Sequence, residues 1–199
     1  MKKTLVASIL GLASMASVLA QGNISMDTYG TSGAPLVTYG AANGNGSSGG
    51  TVGAGVDGFT AGFFYVVGNA TVAINGSFNG TGYDTPAGNG LQFATGSGTV
   101  APIGGGYITQ GDSYTVAGTQ TADYLVTIVA IAFNGGSYAS SSVRGHSAAF
   151  TMTAKLLGAP DTFGTTMPTF AVFNAVPEPS TFALAGLGLA GLLIFRRRK

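Results

Sequence analysis

Residues Ala122–Phe133, with the sequence ADYLVTIVAIAF, decide the fold class of this chain. Side chains of a strand alternate between two faces. One face would carry Tyr124, Val126, Ile128, Ala130 and Ala132, and the other would carry Leu125, Thr127, Val129, Ile131 and Phe133. Both faces become apolar toward the end of the run, which is typical of a central strand covered on both sides. Helix is disfavoured, because β-branched residues dominate and no capping residues are visible.

Further β signals lie on both sides of this strand, separated by Gly, Asn or Pro. The other predicted strands are Phe59–Val67, Thr71–Phe78, Leu91–Thr95, Gly106–Thr109, Tyr114–Ala117, Ala148–Ala154 and Thr169–Asn174. Many short strands, Gly-rich turns and no long amphipathic helix predict an all-β fold, either a β-sandwich or a jelly-roll-like domain. Gly40–Gly58 is low in complexity and predicts a loop or flexible segment.

The composition excludes several classes of function. The 199 residues include 34 Gly and no Cys, so disulfides, thiol catalysis and Cys-ligated zinc are excluded. Between residues 21 and 176 the only cations are Arg144 and Lys155. The acids there are Asp27, Asp57, Asp84, Asp112, Asp123 and Asp161. Such an acidic segment is a poor partner for nucleic acid, whose binding depends on neutralising phosphates.

The N-terminus has the pattern of a secretory signal peptide. Lys2 and Lys3 precede an apolar run that ends in Val18-Leu19-Ala20, with small residues where a signal peptidase acts. We therefore expect cleavage between Ala20 and Gln21. A retained membrane helix is the alternative, which the short apolar run disfavours.

The C-terminus has the pattern of a membrane anchor. Phe182 to Phe195 carries no charge and is followed by Arg196, Arg197, Arg198 and Lys199. As a helix this run spans about 21 Å, less than the ~30 Å hydrocarbon core, a mismatch that bilayer thinning and snorkelling arginines can cover. The basic residues should stay in the cytoplasm. The sequence thus predicts one transmembrane helix with the rest of the chain exported.

A Pro-Glu-Pro strip precedes this anchor. The sequence Val176, Pro177, Glu178, Pro179, Ser180 and Thr181, followed by a short apolar helix and a basic tail, resembles the PEP-CTERM sorting signal. This element is also called the ice-binding protein C-terminal domain, a label that is no evidence of ice binding. The resemblance implies recognition and cleavage by an exosortase and delivery to the cell surface or the exopolysaccharide matrix. An ordinary tail anchor with a chance Pro-Glu-Pro is the alternative.

These signals divide the chain into a signal peptide (1–20), a Gly-rich N-terminal segment (21–58), a β-sandwich domain (59–175) and a sorting signal (176–199). The stretch Gly106–Thr181 also resembles the body of some Gly-rich PEP-CTERM proteins. The matching pieces are Gly106-Tyr107, Tyr124–Phe133, Gly136-Ser137-Tyr138-Ala139 and Arg144-Gly145 before Phe150-Thr151. This likeness supports the β-fold and suggests no reaction.

Candidate catalytic groups are few. His146 is the only histidine, and we interpret it as a surface turn residue rather than as part of a Ser-His-Asp triad. The acids are scattered, without the paired carboxylates of a glycosidase or the clustered acids of a calcium loop. G-x-G-x-x-G matches occur three times in this Gly-rich chain and none opens a soluble helix after a strand, so they carry no dinucleotide prediction. We expect no enzyme activity, no catalytic residue, no cofactor and no metal.

Two functions are favoured for the exported domain, ahead of a hydrolase with a scattered site and an ice-binding role. The first is a non-catalytic structural or adhesive role at the cell surface or in the matrix, with exosortase and the membrane as partners. The alternative is a carbohydrate-binding module of the exopolysaccharide matrix, because tyrosine rings can stack on sugars. The tyrosines that could do so are Tyr65, Tyr83, Tyr107, Tyr114 and Tyr138, although packing in the core or in turns is the expected use of most.

Overall fold

The computed structural model describes residues 22–30, 32–40, 49–53, 58–72, 90–94, 101–109, 113–116, 122–174 and 186–189. Between residues 22 and 174 the described residues form strands joined by turns and loops. The strands are β1 (Gly22–Ser25), β2 (Val37–Tyr39), β3 (Phe59–Val67), β4 (Gln92–Phe93), β5 (Ala101–Gly104), β6 (Tyr107–Ile108), β7 (Tyr114–Val116), β8 (Tyr124–Asn134), β9 (Val143–His146), β10 (Phe150–Ala154), β11 (Asp161–Thr162) and β12 (Phe170–Asn174). The prediction of an all-β fold is confirmed.

The larger sheet is built around β3 and β8. These two strands pair antiparallel along the whole length of β3, from Phe59 opposite Asn134 to Val67 opposite Val126. The outer edge of β8 is shared between β10 and β9, and the outer edge of β3 is shared between β4 and β5. Strand β12 follows on β9, and β2 lies parallel to β12 at the edge. The stretch that decided the fold class is therefore a central strand, as predicted.

Each face of the β3–β8 pair is covered by a different apolar cluster. The main core takes Phe63 and Tyr65 from β3 together with Val126 and Ile128 from β8. A smaller cluster on the opposite face takes Phe64, Val129, Ile131 and Phe133, with Leu91 and Tyr138 over them. The alternation within β8 accounts for this division, since odd and even positions point to opposite faces.

A smaller sheet covers the main core. Strand β1 lies at its centre, parallel to β11 and antiparallel to β7. The ring of Phe63 in the larger sheet meets Tyr114 of β7 edge-on at 4.9 Å and Phe163, just after β11, at 5.8 Å. Two layers of sheet thus enclose a shared aromatic core, the packing expected of a sandwich.

Several strands differ from the sequence predictions. The short strands β1, β2, β5, β9 and β11 were not predicted. Because β1 and β2 lie within residues 21–58 and pair with β11, β7 and β12, this Gly-rich segment contributes to both sheets. In the predicted strand Thr71–Phe78, Thr71 and Val72 are not in a strand, and the other six positions lie outside the described residues.

The described part of the predicted anchor is short. Residues 186–189 form one helical turn, with Leu187 and Leu189 exposed. Among the described residues, no helix has the length and apolar character needed to cross a membrane.

Candidate functional site

The sorting elements predicted from sequence lie outside the described residues. These are Ala20 and Gln21 at the signal cleavage position, Val176 to Thr181 in the motif, and Arg196 to Lys199 in the basic tail. The described sheets nevertheless reach close to both signals. Strand β1 begins at Gly22, two residues after the predicted signal peptide of residues 1–20, and β12 ends at Asn174, two residues before the predicted sorting signal of residues 176–199.

His146 does not lie in a surface turn, and that prediction is wrong. The residue belongs to β9, and its side chain has 0% relative exposure. Its Nδ1 atom lies 2.9 Å from the carbonyl oxygen of Ser147. The neighbouring Gly145 explains the burial, because a Cβ atom there would lie 2.0 Å from the Ala171 carbonyl oxygen of β12. An imidazole enclosed between strands in this way is not presented to a substrate.

Arg144, two residues before His146, stabilises a turn through hydrogen bonds. Its guanidinium donates hydrogen bonds to the carbonyl oxygens of Tyr138, at 2.8 Å, and of Ala139. The same group lies 5.6 Å from the centre of the Tyr138 ring, within the range of a cation–π contact. The sequence pieces Gly136–Ala139 and Arg144-Gly145, which were recognised as a pattern, therefore form one structural unit.

The described carboxylates serve separate local contacts. Asp123 forms an ion pair with Lys155 at 3.2 Å and accepts a hydrogen bond from the Leu156 nitrogen at 2.9 Å. That backbone bond, and then Lys155, lower the pKa of Asp123 below its ordinary value. Asp27 accepts a bond from the Tyr29 nitrogen at 2.8 Å, which closes a turn. No three His, Cys, Asp or Glu side chains of the described residues gather in a metal-binding group.

Most of the tyrosines proposed for sugar stacking are buried in the cores. Tyr65, Tyr114 and Tyr138 belong to the two apolar clusters, and Tyr83 lies outside the described residues. Tyr107 is half-buried, and its ring meets that of Tyr29 edge-on at 5.7 Å. Tyr29 is 68% exposed and was not among the candidates. Tyr29 follows Asp27 by two residues and precedes Gly30, a pattern typical of a turn. This sequence pattern could have indicated that the Tyr29 ring is exposed.

A polar groove lies between the two sheets at one side of the domain. Its volume is about 460 Å³, and the residues that line it are Thr151, Met152, Thr153, Asp161, Thr162, Gly164, Thr165 and Thr166. We call it the threonine groove, because five of these residues are threonines. Sequence analysis did not find it, since threonine is common throughout the chain and only the fold brings these five together.

The two walls of the threonine groove come from different sheets. Strand β10 alternates Phe150, Met152 and Ala154 into the core with Thr151 and Thr153 on the other side, as period-two patterning requires. The opposite wall is β11, which pairs with Ile24 and Ser25 of β1, and the turn that follows it.

The turn after β11 is held firmly. The nitrogens of Phe163 and Gly164 donate to the carbonyls of Ser25 at 2.9 Å and of Asp27 at 3.1 Å. Phe163 is wholly buried, and its ring packs edge-on against Phe150 at 5.3 Å. The wall that carries Thr165 and Thr166 is therefore fixed by backbone bonds and by a core aromatic ring.

A second, smaller cleft is apolar. It measures about 270 Å³ and lies over the outer face of the larger sheet, where Phe64, Phe93, Phe133 and Tyr138 meet the Gly136–Ala139 turn. The rings of Phe64 and Phe93 are 5.0 Å apart.

The C-terminal segment matches a known protein-sorting motif. Residues 175–199 match the family model described as the PEP-CTERM protein-sorting motif. The chain carries a PEP-CTERM sorting signal. No curated protein and no solved structure matches the chain. The PEP-CTERM motif implies an exported protein that is sorted by an exosortase and processed in association with the membrane.

The PEP-CTERM motif follows directly on the sheet. Asn174, the last residue of β12, pairs with Val143 of β9 and is separated from Pro177 by Ala175 and Val176 alone. Three residues of extended chain span at most about 10 Å. Pro177, the first residue of the Pro-Glu-Pro strip, is therefore tethered within about 10 Å of Asn174.

Proposed function

We propose that this chain is an exported cell-surface or extracellular-matrix protein with a non-catalytic, structural or adhesive role. The observation that carries the proposal is the PEP-CTERM motif at residues 175–199. The sheet domain that precedes it is acidic and nearly free of lysine, which suits a secreted domain and disfavours a nucleic-acid partner.

The proposed topology has the domain outside the cytoplasm. The signal peptide of residues 1–20 starts export, and Phe182 to Phe195 holds the chain in the inner membrane as a transmembrane helix with Arg196–Lys199 inside. Exosortase then acts near Pro177, Glu178 and Pro179, and the domain passes to the cell surface or matrix.

A non-catalytic role is supported by the surroundings of the reactive side chains. His146 is buried in β9, Arg144 is engaged with turn carbonyls, and Asp123 is paired with Lys155. None of these three side chains is among the described residues that line the threonine groove.

The experiment is an intact-mass and accessibility measurement on the chain produced in its exosortase-containing host. We expect the mature protein to lack Met1–Ala20 and the basic tail, and its domain to be accessible to protease added outside the cell. Replacing Pro177 and Pro179 by Ala should leave the tail in place, while replacing Pro168 by Ala should not. A tail retained in the unaltered chain, or a domain protected from external protease, would contradict the proposal.

The alternative function, a carbohydrate-binding module of the exopolysaccharide matrix, is favoured by one observation. The threonine groove offers hydroxyl groups in a recess on the domain surface, and a hydroxyl can both donate hydrogen bonds to a polar ligand and accept them from it. The exposed Tyr29 ring supports it further, whereas Tyr65, Tyr114 and Tyr138 are buried and do not.

A further inference from the structure

We infer that the threonine groove binds a segment of a neutral polysaccharide chain, an inference that rests on the proposed export of this domain to the cell surface or matrix. The groove lies between β10 of the larger sheet and β11 of the smaller sheet. The lining residues named above belong neither to the PEP-CTERM motif nor to the apolar cleft near Tyr138.

The threonine hydroxyls of the groove are available to a ligand. Within the described part of the chain, none of these hydroxyls forms an intramolecular hydrogen bond. They belong to Thr151, Thr153, Thr162, Thr165 and Thr166. Other threonines of the domain are engaged: the Thr28 hydroxyl bonds to Ile108, and the Thr127 hydroxyl donates to Gly68 at 2.7 Å. A hydroxyl both donates and accepts, which matches the hydroxyl groups of a sugar.

The position of the groove suits an extended chain. Among the described residues, β10 pairs only with β8 over Phe150–Ala154, and β11 pairs only with β1, so each strand has one edge without a described partner, and the two strands lie close together. A polymer lying between these edges would meet Thr151 and Thr153 on one side and Thr165 and Thr166 on the other. Because backbone bonds fix the turn after β11, little order must be gained when the polymer binds.

The charge of the groove selects among polysaccharides. Among the described residues that line the groove, Asp161 is the only ionisable one, and the nearby Lys155 is paired with Asp123. A carboxylate beside the ligand would repel uronate or pyruvate groups and can accept hydrogen bonds from sugar hydroxyls. Neutral polymers are therefore favoured over anionic ones.

A peptide strand fits the groove less well. Strand addition needs a long open edge and pockets for alternate side chains. Strand β11 has two residues, and the lining offers hydroxyls rather than apolar pockets.

The test measures binding of the full chain, purified in a polyoxyethylene detergent that contains no sugar, to immobilised polysaccharides by biolayer interferometry. The probes are two neutral polymers, dextran and a soluble β-glucan, and one anionic polymer, alginate. We expect a neutral probe to bind more tightly than alginate. The triple variant Thr153→Val, Thr165→Val, Thr166→Val keeps side-chain shape and should bind the neutral probe about tenfold more weakly, because three hydroxyls that can hydrogen-bond to the sugar are removed; tenfold corresponds to about 1.4 kcal/mol.

Two controls make the result specific. Thr71→Val with Thr169→Val makes the same chemical change at exposed threonines outside the groove and should leave binding unchanged. Asp161→Asn should raise the relative affinity for alginate. Binding of the triple variant equal to that of the unaltered chain, tighter binding of alginate than of both neutral probes, or no binding of either neutral probe would overturn the inference.

The proposed function is tested by a separate measurement. In cells, the triple variant and the unaltered chain are both tested for accessibility to protease added outside the cell. Normal delivery of both chains with no neutral binding overturns the groove inference alone. Failure of the unaltered chain to reach the outside overturns the proposed function.

Discussion

The hydroxyl group of Tyr124 accepts a hydrogen bond from the backbone nitrogen of Gly22 at 3.2 Å. The same hydroxyl donates to the Val116 carbonyl oxygen at 3.1 Å. Since Tyr124 begins β8 of the larger sheet, while Gly22 and Val116 lie in β1 and β7 of the smaller one, a single side chain connects the two layers. Gly22 allows this approach, because a Cβ there would lie 2.9 Å from the Tyr124 ring.

We predict that Tyr124→Phe lowers the free energy of unfolding by about 1–2 kcal/mol, the range expected for losing a hydroxyl that bonds two backbone groups. Urea unfolding followed by near-ultraviolet circular dichroism measures the change. Tyr29→Phe is the control, because the Tyr29 side chain is exposed and should tolerate the change within about 0.5 kcal/mol. Equal stability of the two variants would contradict the bridging role of Tyr124.

The burial of the Tyr124 hydroxyl makes stability sensitive to alkali. Burial raises the pKa of Tyr124 above its ordinary value, so the folded state holds the phenolic proton more tightly than the unfolded chain does. The stabilising effect is therefore complete below the unfolded pKa, near 10, and is lost as the pH rises through the higher folded pKa. The stability difference between the unaltered chain and Tyr124→Phe should persist to about pH 10 and shrink above it.

Gly145→Ala should be among the most damaging single changes in the domain. A Cβ at residue 145 would lie 2.0 Å from the Ala171 carbonyl oxygen, and this neighbour is backbone that cannot rotate away. We expect a loss of at least about 3 kcal/mol or failure to fold, measured by thermal unfolding. Gly136→Ala is the matched control, because a Cβ there has open space. A mild effect at both positions would show that β9 and β12 can separate at little cost.

The long strands were predictable from sequence, and the short ones were not. The bounds predicted for β3 coincide with the structure, and β8 differs by two residues at its start and one at its end, because apolar alternation over nine or more residues is a strong local signal. Strand β9 has the sequence VRGH, in which Arg, Gly and His suggested a turn. Its strand conformation depends on pairing with β8 and β12, which local sequence does not encode.

The candidate sites also differ in whether sequence alone could have predicted them. The PEP-CTERM motif is contiguous, so its residues could be named from sequence. The threonine groove needs β10 and β11 side by side, an arrangement set by the register of β11 against Ile24 of β1. His146 was misjudged because a lone polar residue next to glycine resembles a turn, whereas its burial follows from the close approach of β12.

Arg144→Met should free the Gly136–Ala139 turn. The substitution removes the guanidinium that bonds the carbonyls of Tyr138 and Ala139 and the cation that faces the Tyr138 ring. Charged hydrogen bonds of this kind contribute about 1.5–3 kcal/mol, and we expect a stability loss of that size with faster proteolysis in the turn. Lys155→Met, which removes a partly exposed ion pair, should cost less than about 1 kcal/mol. A smaller loss for Arg144→Met than for Lys155→Met would refute the assignment.

Asp123 should contribute to stability only above the acid range. The Leu156 backbone bond and then Lys155 lower the pKa of Asp123 in the folded state, so its contribution is present above the ordinary pKa near 4 and is lost as the pH falls through the lower folded pKa. Acid unfolding should therefore be less steep below about pH 4 in Asp123→Asn than in the unaltered chain. Lys155→Met should lie between the two, because it removes the contribution of Lys155 and keeps the Leu156 backbone bond, the largest single cause. Identical acid profiles for Asp123→Asn and the unaltered chain would contradict this.

The short tether between β12 and the PEP-CTERM motif should limit the rate of processing. Asn174 is held by pairing with Val143, and Pro177 follows three residues later, so a membrane enzyme that engages Pro177 must work within about 10 Å of the sheet. Inserting Gly-Ser-Gly-Ser after Asn174 adds up to about 14 Å of reach without altering β12. We expect tail removal to be several-fold faster in pulse–chase labelling, with the same insertion between Gly135 and Gly136 as a control that leaves the tether unchanged. An unchanged rate with the longer tether would mean that exosortase reaches the motif without hindrance from the folded domain.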